Sequence, residues 1–138
     1  MKVIVDTCVW SLSLRRTTQA RLNPQELKTL AELREAIRNR RAAILGPIRQ
    51  EVLSGIRDKA RFSKTERLLD PFLDEEIATE DYVEAARFFN LCRDHGIECG
   101  PVDILICAVA VRNGYEILTN DQGLARCVEA LRSEGFRL

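Results

Sequence analysis

Histidine is scarce in this sequence, which has His95 as its one imidazole. A metal-free ribonuclease that works with two histidines is therefore excluded by inventory. The sequence also has no Gly-x-x-x-x-Gly-Lys loop and no Gly-x-Gly-x-x-Gly turn, which excludes the usual nucleotide hydrolases and dinucleotide-binding proteins. Its apolar runs are all shorter than a membrane span, and the apolar stretch before Asp6 is too short for a signal-peptide core, so we expect no membrane segment.

Cysteine is present, but not in the patterns that usually mark disulfides or metal sites. The five cysteines give an odd count without a Cys-x-x-Cys pair, and several lie in apolar runs, where a thiol acts as a small core residue. This usage indicates a reducing, cytoplasmic compartment. Cys92, His95 and Cys99 have a spacing suited to zinc, but structural zinc is almost always four-coordinate, so ordinary core and surface roles are favoured for them.

The 138 residues carry no net charge, yet the two halves of the chain differ strongly. Residues 1–70 hold 15 Lys and Arg against 8 Asp and Glu, whereas residues 71–138 hold 6 against 13. The asymmetry is compatible with a basic surface for a polyanion beside an acidic, cation-attracting site, and equally with solvated helix faces that happen to differ. Length and composition predict a single globular domain over residues 1–138.

Apolar runs of strand length alternate with helical patterns along the chain. Residues 3–5, 42–45 and 115–118 predict strands buried in a parallel sheet, and residues 74–78 and 136–138 are possible further strands. Asn23, Pro24 and Glu26 predict a helix start with a capping box. Helices are predicted at about 24–39, 48–56, 58–69, 79–96, 101–113 and 122–133, and residues 8–16 are predicted to form a short helix or a turn. The pattern indicates an α/β fold, a three-layer α/β/α sandwich with a mainly parallel sheet.

Four acids stand where such a sheet gathers its ligands. Asp6 and Asp121 follow strands, and Glu51 and Asp103 lie on helices that begin after Gly-Pro turns near the same edge. Taken singly, each has a simpler role, as a helix cap, a dipole partner or a solvated boundary residue. Together they would repel one another unless a hard divalent cation lay between them. We therefore predict a Mg²⁺ or Mn²⁺ site, which suits phosphodiester hydrolysis.

Four segments of the chain carry a family resemblance. They are Val3-Ile4-Val5-Asp6-Thr7, Gly46-Pro47-Ile48-Arg49-Gln50-Glu51-Val52-Leu53-Ser54-Gly55, Asp103-Ile104-Leu105-Ile106-Cys107-Ala108-Val109-Ala110 and Leu118-Thr119-Asn120-Asp121. In this order and spacing they resemble the four acidic motifs of the PIN-domain family, and most of all its VapC toxins. Cys8 and Gly123 depart from the pattern, which has a small polar residue after the threonine and a more acidic or bulky stretch after the last acid.

The resemblance implies a Mg²⁺- or Mn²⁺-dependent endoribonuclease that is usually a homodimer and is inhibited by a VapB-type antitoxin. By position, Asp6 and Asp103 would be the firmest metal ligands. The other members of the site would be Glu51 and Asp121 as acids and Thr7 and Thr119 as supporting hydroxyls.

The basic half offers six candidates for contacts with RNA phosphates, because phosphate binding needs clustered cations. They are Arg15, Arg16, Arg40, Arg41, Arg49 and Arg57. Two alternatives stay open: a PIN-type RNA-processing nuclease outside a toxin system, and a catalytically silent module that binds RNA or protein. A dehalogenase-type phosphatase would need a second Asp where Cys8 stands, and a response-regulator receiver would need paired acids that are absent here.

Overall fold

A parallel sheet of three strands forms the centre of the fold. The computed structural model describes residues 1–15 and 21–138. Within them, the strands are β1 (Val3–Val5), β2 (Ala42–Ala43) and β3 (Glu116–Leu118), in the order β2-β1-β3. Val3 of β1 pairs with Ala42 and with Glu116, both in parallel. The carboxyl ends of the strands therefore lie at one edge of the sheet, where open α/β folds bind ligands.

Helices cover both faces of this sheet. They are α1 (Thr7–Leu14), α2 (Pro24–Arg38), α3 (Gly46–Ser54), α4 (Lys59–Leu69), α5 (Thr79–Asp94), α6 (Pro101–Asn113) and α7 (Gln122–Ser133). Helix α1 packs on α2 and α3, whereas α5, α6 and α7 pack on one another. The connections from β1 to β2 and from β2 to β3 lead in opposite directions, so right-handed crossovers place their helices on opposite faces. The predicted α/β/α architecture is confirmed.

The sequence signals for helix ends are confirmed at α2 and α6. The Asn23 side chain accepts a hydrogen bond from the Glu26 N–H at 2.7 Å, and the Glu26 carboxylate accepts one from the Asn23 N–H at 3.1 Å. Helix α6 ends at Gly114, whose φ of 69° is the left-handed conformation that glycine adopts at low cost. Between its ends, α6 buries residues 104–110 without interruption, so it runs through the core.

Three segments differ from the sequence prediction. Strand β2 has two residues, and Ile44 forms one isolated parallel bridge with Asp74, so the possible strand over 74–78 is reduced to that bridge. Residues 136–138 form no strand, and the Phe136 ring packs on Phe88 of α5 with 4.7 Å between ring centroids. Helix α3 begins at Gly46, two residues early, because proline at position 47 fits the first turn of a helix.

An ion pair between a buried carboxylate and a partly exposed guanidinium joins α5 to α6. Asp81 is 1% exposed, and its two carboxylate oxygens accept hydrogen bonds from Nε and Nη2 of Arg112 at 2.6 and 2.8 Å. The Ala78 N–H also donates to this carboxylate at 2.8 Å. The guanidinium of Arg112 lowers the pKa of Asp81. The sequence predicts a dipole partner at Asp81, and the structure adds a link between two helices.

The cysteine pattern of the sequence gives no sign of a disulfide, but the structure contains one. Cys99, in the loop before α6, forms a disulfide with Cys127 on α7. The two Cα atoms are 6.3 Å apart, because α6 and α7 pack side by side. Cys8, Cys92 and Cys107 are free thiols.

In the part of the chain that is described, no helix combines the length and the apolar character needed to cross a membrane.

Candidate metal centre

Asp6 lies at the carboxyl end of β1 and is 5% exposed. It caps α1, since its Oδ1 accepts a hydrogen bond from the Thr7 N–H at 2.8 Å. Its Oδ2 accepts a hydrogen bond from the Thr119 hydroxyl at 2.7 Å and a weak one from the Cys8 thiol at 3.5 Å. The Asp6 N–H donates to the Leu118 carbonyl at 3.0 Å. These bonds hold the carboxylate at the sheet edge that the sequence indicates.

Asp103 and Asp121 bring two further carboxylates to Asp6. One oxygen from each of the three side chains lies within 4.8 Å of the others. Asp103 is in the first turn of α6, and Asp121 caps α7 by accepting a hydrogen bond from the Leu124 N–H at 3.0 Å. Thr119 links two of them, because its hydroxyl accepts from the Asp121 N–H at 2.9 Å and donates to Asp6.

Burial and nearby negative charges both disfavour the ionised form of Asp103. Burial, followed by the charges of Asp6, Asp121 and Glu51, raises the pKa of Asp103 to about 6. Within residues 1–15 and 21–138, none of these four acids forms an ion pair with a lysine, arginine or histidine side chain. The described residues therefore give these acids no ion-paired cation, and the negative charge gathered at Asp6, Asp103 and Asp121 is the condition that a metal ion relieves.

The donor set fits a hard divalent cation. Mg²⁺ and Mn²⁺ prefer oxygen ligands, and Mg²⁺ usually takes one or two carboxylates and keeps several waters. Asp6, Asp103 and Asp121 offer three carboxylates at one point, with Asp6 orientated by hydrogen bonds from its neighbours. We predict that these three residues hold the ion.

Glu51 lies beside this trio rather than within it. Its carboxylate is exposed, and its Oε1 accepts a hydrogen bond from the Thr7 hydroxyl at 2.7 Å. It is close enough to contribute to the raised pKa of Asp103. The sequence treats Glu51 as a fourth member of one acidic cluster, whereas the structure gives it a separate position that Thr7 supports. Thr7 and Thr119 thus each donate a hydrogen bond to an acid of the site.

Both departures from the PIN pattern contact the acids. Cys8 places its thiol against Asp6, and burial raises the pKa of this thiol, which keeps it protonated as a weak donor. At Gly123, a Cβ atom would lie 3.2 Å from Oδ2 of Asp121, closer than most carbon contacts. Glycine at this position therefore leaves room for the Asp121 carboxylate.

Three of the six arginines are placed away from the site or are used elsewhere. Arg40 and Arg41 precede β2, and the Val3 N–H donates to the Arg41 carbonyl at 2.7 Å, so both lie at the edge of the sheet opposite to Asp6. The guanidinium of Arg49 is bound by Asp74 at 2.9 Å, by the Leu69 carbonyl at 3.1 Å and by the Phe72 carbonyl. A phosphate-binding role for these three arginines is not supported. Arg40 and Arg41 lie where β2 begins, whereas Asp6 lies where β1 ends, and in a parallel sheet these are opposite edges. The Arg49 guanidinium is already bound to the segment after α4.

The other arginines differ in their relation to the site. Arg15 lines a cleft of about 140 Å³ together with Glu51 and Arg61. Arg57 is exposed in the loop between α3 and α4, and Arg16 lies outside the described residues. Sequence reasoning missed Arg61, because nothing in its local pattern on α4 indicates that this helix returns to α3 and Glu51.

A polar groove of about 300 Å³ adjoins the acids through Cys8, and Arg15, Asn23, Gln25 and Asn120 also line it. The buried Thr29 hydroxyl lies 2.7 Å from Oδ1 of Asn120 and 2.9 Å from the Gln25 carbonyl oxygen, so its one proton is shared between two acceptors and it links Asn120 to α2. The sequence contains no sign of this contact, since Thr29 reads as an ordinary residue of α2.

The structure does not bring Cys92, His95 and Cys99 together as a zinc site. Nε2 of His95 pairs with Oε1 of Glu134 at 2.6 Å. Cys92 and Cys99 do approach each other, but their third neighbour is Cys127. Helix α7, distant in sequence, supplies that partner.

Comparisons with known proteins agree with this fold. The profile of the PIN domain matches residues 3–129. A search of curated proteins finds no match. Among solved structures, the chain is similar to FitAcB from Neisseria gonorrhoeae, with a TM-score of 0.68 and 16% sequence identity over 92% of this chain and 93% of that one. At this identity the similarity shows the fold alone.

Proposed function

This chain belongs to the PIN-domain family, and we propose that it is a Mg²⁺- or Mn²⁺-dependent endoribonuclease. PIN domains are generally metal-dependent nucleases. The observation that carries the proposal is the convergence of Asp6, Asp103 and Asp121, with one carboxylate oxygen of each within 4.8 Å of the others at the carboxyl edge of the sheet.

Each residue of the site has a distinct task in this proposal. Asp6, Asp103 and Asp121 would hold the ion, which when bound supplies a water of lowered pKa and offsets the charge on the leaving oxygen of a phosphodiester. Thr119 and the α1 cap fix the Asp6 carboxylate, so it reorganises little. Thr7 holds one oxygen of the exposed Glu51 side chain, and this carboxylate would orient the attacking water.

Cleavage of RNA by the purified protein tests this function. We expect cleavage with Mg²⁺ or Mn²⁺, none in EDTA, and a loss of at least about 100-fold in Asp6→Asn, because a carboxylate ligand is replaced by a neutral amide. Asparagine is also a favoured helix cap, so α1 keeps its start. Asp70→Asn, a change at an exposed acid after α4, is the matched control and should cleave normally. Cleavage that survives EDTA or the Asp6→Asn change would exclude the proposed metal chemistry.

We propose that Arg15 and Arg61, which flank Glu51, bind phosphates of the RNA. In an Asp6→Asn background, Arg15→Gln with Arg61→Gln should weaken binding of single-stranded RNA and reduce the slope of log K against log salt by about 1.4, since each lost contact removes about 0.7. The charge-matched control is Arg38→Gln with Arg40→Gln, at the end of α2 and the opposite sheet edge. If the two double variants have equal slopes of log K against log salt, RNA phosphates do not bind at Arg15 and Arg61.

We further propose that the chain is the cytoplasmic toxin of a VapBC-type pair, a homodimer inhibited by a VapB-type antitoxin. The four motif segments support this, and an arginine of the antitoxin suits the acids because a guanidinium forms paired hydrogen bonds with carboxylates. Expression of the chain alone should arrest growth, and either Asp6→Asn or co-expression of the antitoxin encoded beside it should relieve the arrest. An RNA-processing nuclease would cleave RNA without such arrest, and a silent binding module would bind RNA without cleaving it.

A further inference from the structure

Three cysteines meet where α5, α6 and α7 pack together. The sulfur atoms of Cys92, Cys99 and Cys127 lie within 4.8 Å of one another. Cys99 and Cys127 form a disulfide, and the Cys92 sulfur lies 3.8 Å from the carbonyl oxygen of Cys127. Exchange proceeds by attack of a thiolate on a disulfide sulfur. A third thiol at this distance therefore has two sulfurs to attack.

A surface groove gives access to one of the three sulfurs. The groove has a volume of about 550 Å³, and Cys99 lines it together with Ala85, Phe89, Pro101 and Ile104. Cys99 is 4% exposed, whereas Cys92 and Cys127 are fully buried. A small thiol or disulfide in solution therefore reaches Cys99 first.

We propose that Cys92, Cys99 and Cys127 form a thiol–disulfide exchange site for low-molecular-weight thiols and disulfides, and that its redox state controls the positions of Asp103 and Asp121. The second part rests on the proposed function of these two acids. The first part concerns the three sulfurs alone.

The small disulfide RSSR is the oxidant that converts the two protein thiols into a disulfide. The thiolate of reduced Cys99 attacks one sulfur of the disulfide RSSR, forming a mixed disulfide and releasing RS⁻, which takes the proton of Cys99. The thiolate of Cys127 then attacks the Cys99 sulfur, and a second RS⁻ leaves with the proton of Cys127. Two protein thiols and one RSSR thus become one protein disulfide and two RSH, and excess RSH reverses the reaction.

Cys92 adds a second pairing without further oxidation. Its thiolate can attack the Cys127 sulfur, which forms a Cys92–Cys127 bond and releases Cys99 as a thiolate that takes up the proton. This pairing joins α5 to α7 and frees the loop before α6. Two oxidised forms thus differ in whether the start of α6 is tied to α7.

The tie connects the two helices that carry acids of the metal centre. Cys99 directly precedes Gly100, the N-cap of α6, and Asp103 lies in the first turn of that helix. Cys127 is on α7, about 9 Å along the helix from its N-cap Asp121 at a rise of about 1.5 Å per residue. A bond between Cys99 and Cys127 therefore limits the separation of Asp103 from Asp121.

Equilibration of the full chain in buffers of reduced and oxidised glutathione tests the exchange. Free thiols are alkylated, and disulfides are mapped by mass spectrometry. We expect Cys127 to become protected together with one partner, Cys99 or Cys92, as oxidised glutathione increases, and to be released with that partner on reduction. The buried Cys107 should stay a thiol throughout as an internal control. In Cys127→Ser, a Cys92–Cys99 disulfide should replace the native pair. If the protection of Cys127 follows neither Cys99 nor Cys92 at any glutathione ratio, the proposal is overturned, without need of any variant.

Two measurements on the wild-type chain test the link to the acids. Amide hydrogen exchange of residues 103–107 should slow in the oxidised form, and the oxidised form should bind Mn²⁺ at least about threefold more tightly in calorimetry, since the disulfide restricts the open states of the site. Equal amide exchange in both redox states overturns the control of Asp103. If amide exchange responds but neither form binds Mn²⁺, the nuclease proposal fails while the thiol site stands.

Discussion

Asp103→Asn is expected to remove metal-dependent cleavage and, at the same time, to stabilise the metal-free protein. Burial and three neighbouring acids raise the pKa of Asp103 to about 6. At neutral pH the metal-free protein therefore holds an unfavourable charge at this position, and a neutral amide relieves it. We expect cleavage to fall at least about 100-fold, while the free energy of unfolding in EDTA rises by roughly 1 kcal/mol, a value already reduced because Asp103 is partly exposed to solvent.

The pH dependence of this stabilisation follows from the direction of the pKa change. Between the pKa of Asp103 in the unfolded chain and its raised value in the folded protein, the folded state binds more protons than the unfolded state. Wild-type stability therefore falls as pH rises through this interval, and Asp103→Asn lacks this fall. Thermal unfolding in EDTA should show a small difference near about pH 4 and a larger one at about pH 7.5.

The Asp70→Asn variant serves as the control for these unfolding measurements, because it removes an exposed acid outside the site. Added Mg²⁺ or Mn²⁺ should raise the unfolding midpoint of wild type more than that of Asp103→Asn, since a ligand stabilises the state that binds it. An Asp103→Asn protein that is less stable than wild type at neutral pH in EDTA would contradict the repulsion described for the site.

Arg112→Met is expected to cost about 2 kcal/mol of unfolding free energy, the largest stability effect that we predict for a single change. This value is already reduced because the Arg112 side chain is 38% exposed and solvent screens its charge. Asp81 is almost fully buried, and Arg112 donates to both of its carboxylate oxygens. Removal of the guanidinium leaves a buried charge whose remaining donor among the described residues is the Ala78 N–H. Urea denaturation gives the change in free energy directly.

Two further variants separate the contribution of the Asp81–Arg112 pair from the general effect of losing an arginine. Arg87→Met removes a cation from an exposed pair with Glu84 and should cost less than about 0.5 kcal/mol. Asp81→Asn combined with Arg112→Met should recover part of the loss, because no unpaired charge is then buried. The pKa of Asp81 is lower in the folded protein than in the unfolded chain. The pair therefore adds to the free energy of unfolding at pH values above the unfolded-state pKa of Asp81, and this contribution is lost as pH falls through the folded-state pKa. An Arg112→Met protein as stable as Arg87→Met would show that the pair contributes little.

The parts of the fold that local sequence determines could be predicted. Asp6 follows a buried β-branched strand, and a parallel sheet places such a residue at the ligand-binding edge. The capping box of Asn23 and Glu26 involves residues three positions apart, so its start signal is complete in the sequence. Asp121 was recognisable as a cap, and its approach to Asp6 follows from the pairing of β1 with β3.

The parts that depend on contacts between distant segments could not be predicted. The separation of Glu51 from the other acids depends on the Thr7 hydroxyl, and the structural use of Arg49 depends on carbonyl groups after α4. The Cys99–Cys127 disulfide depends on how α7 packs against α6. In each case the residue type allowed several roles, and the packing of helices selected one.

Anomalous diffraction from crystals grown with Mn²⁺ is the most direct test of the metal centre. We expect an anomalous peak about 2 Å from carboxylate oxygens of Asp6, Asp103 and Asp121, a distance typical of a small divalent ion with oxygen ligands. The peak should be absent in Asp6→Asn crystals grown in the same way. Wild-type crystals whose manganese lies elsewhere, or whose three carboxylates turn apart around an empty pocket, would contradict the account.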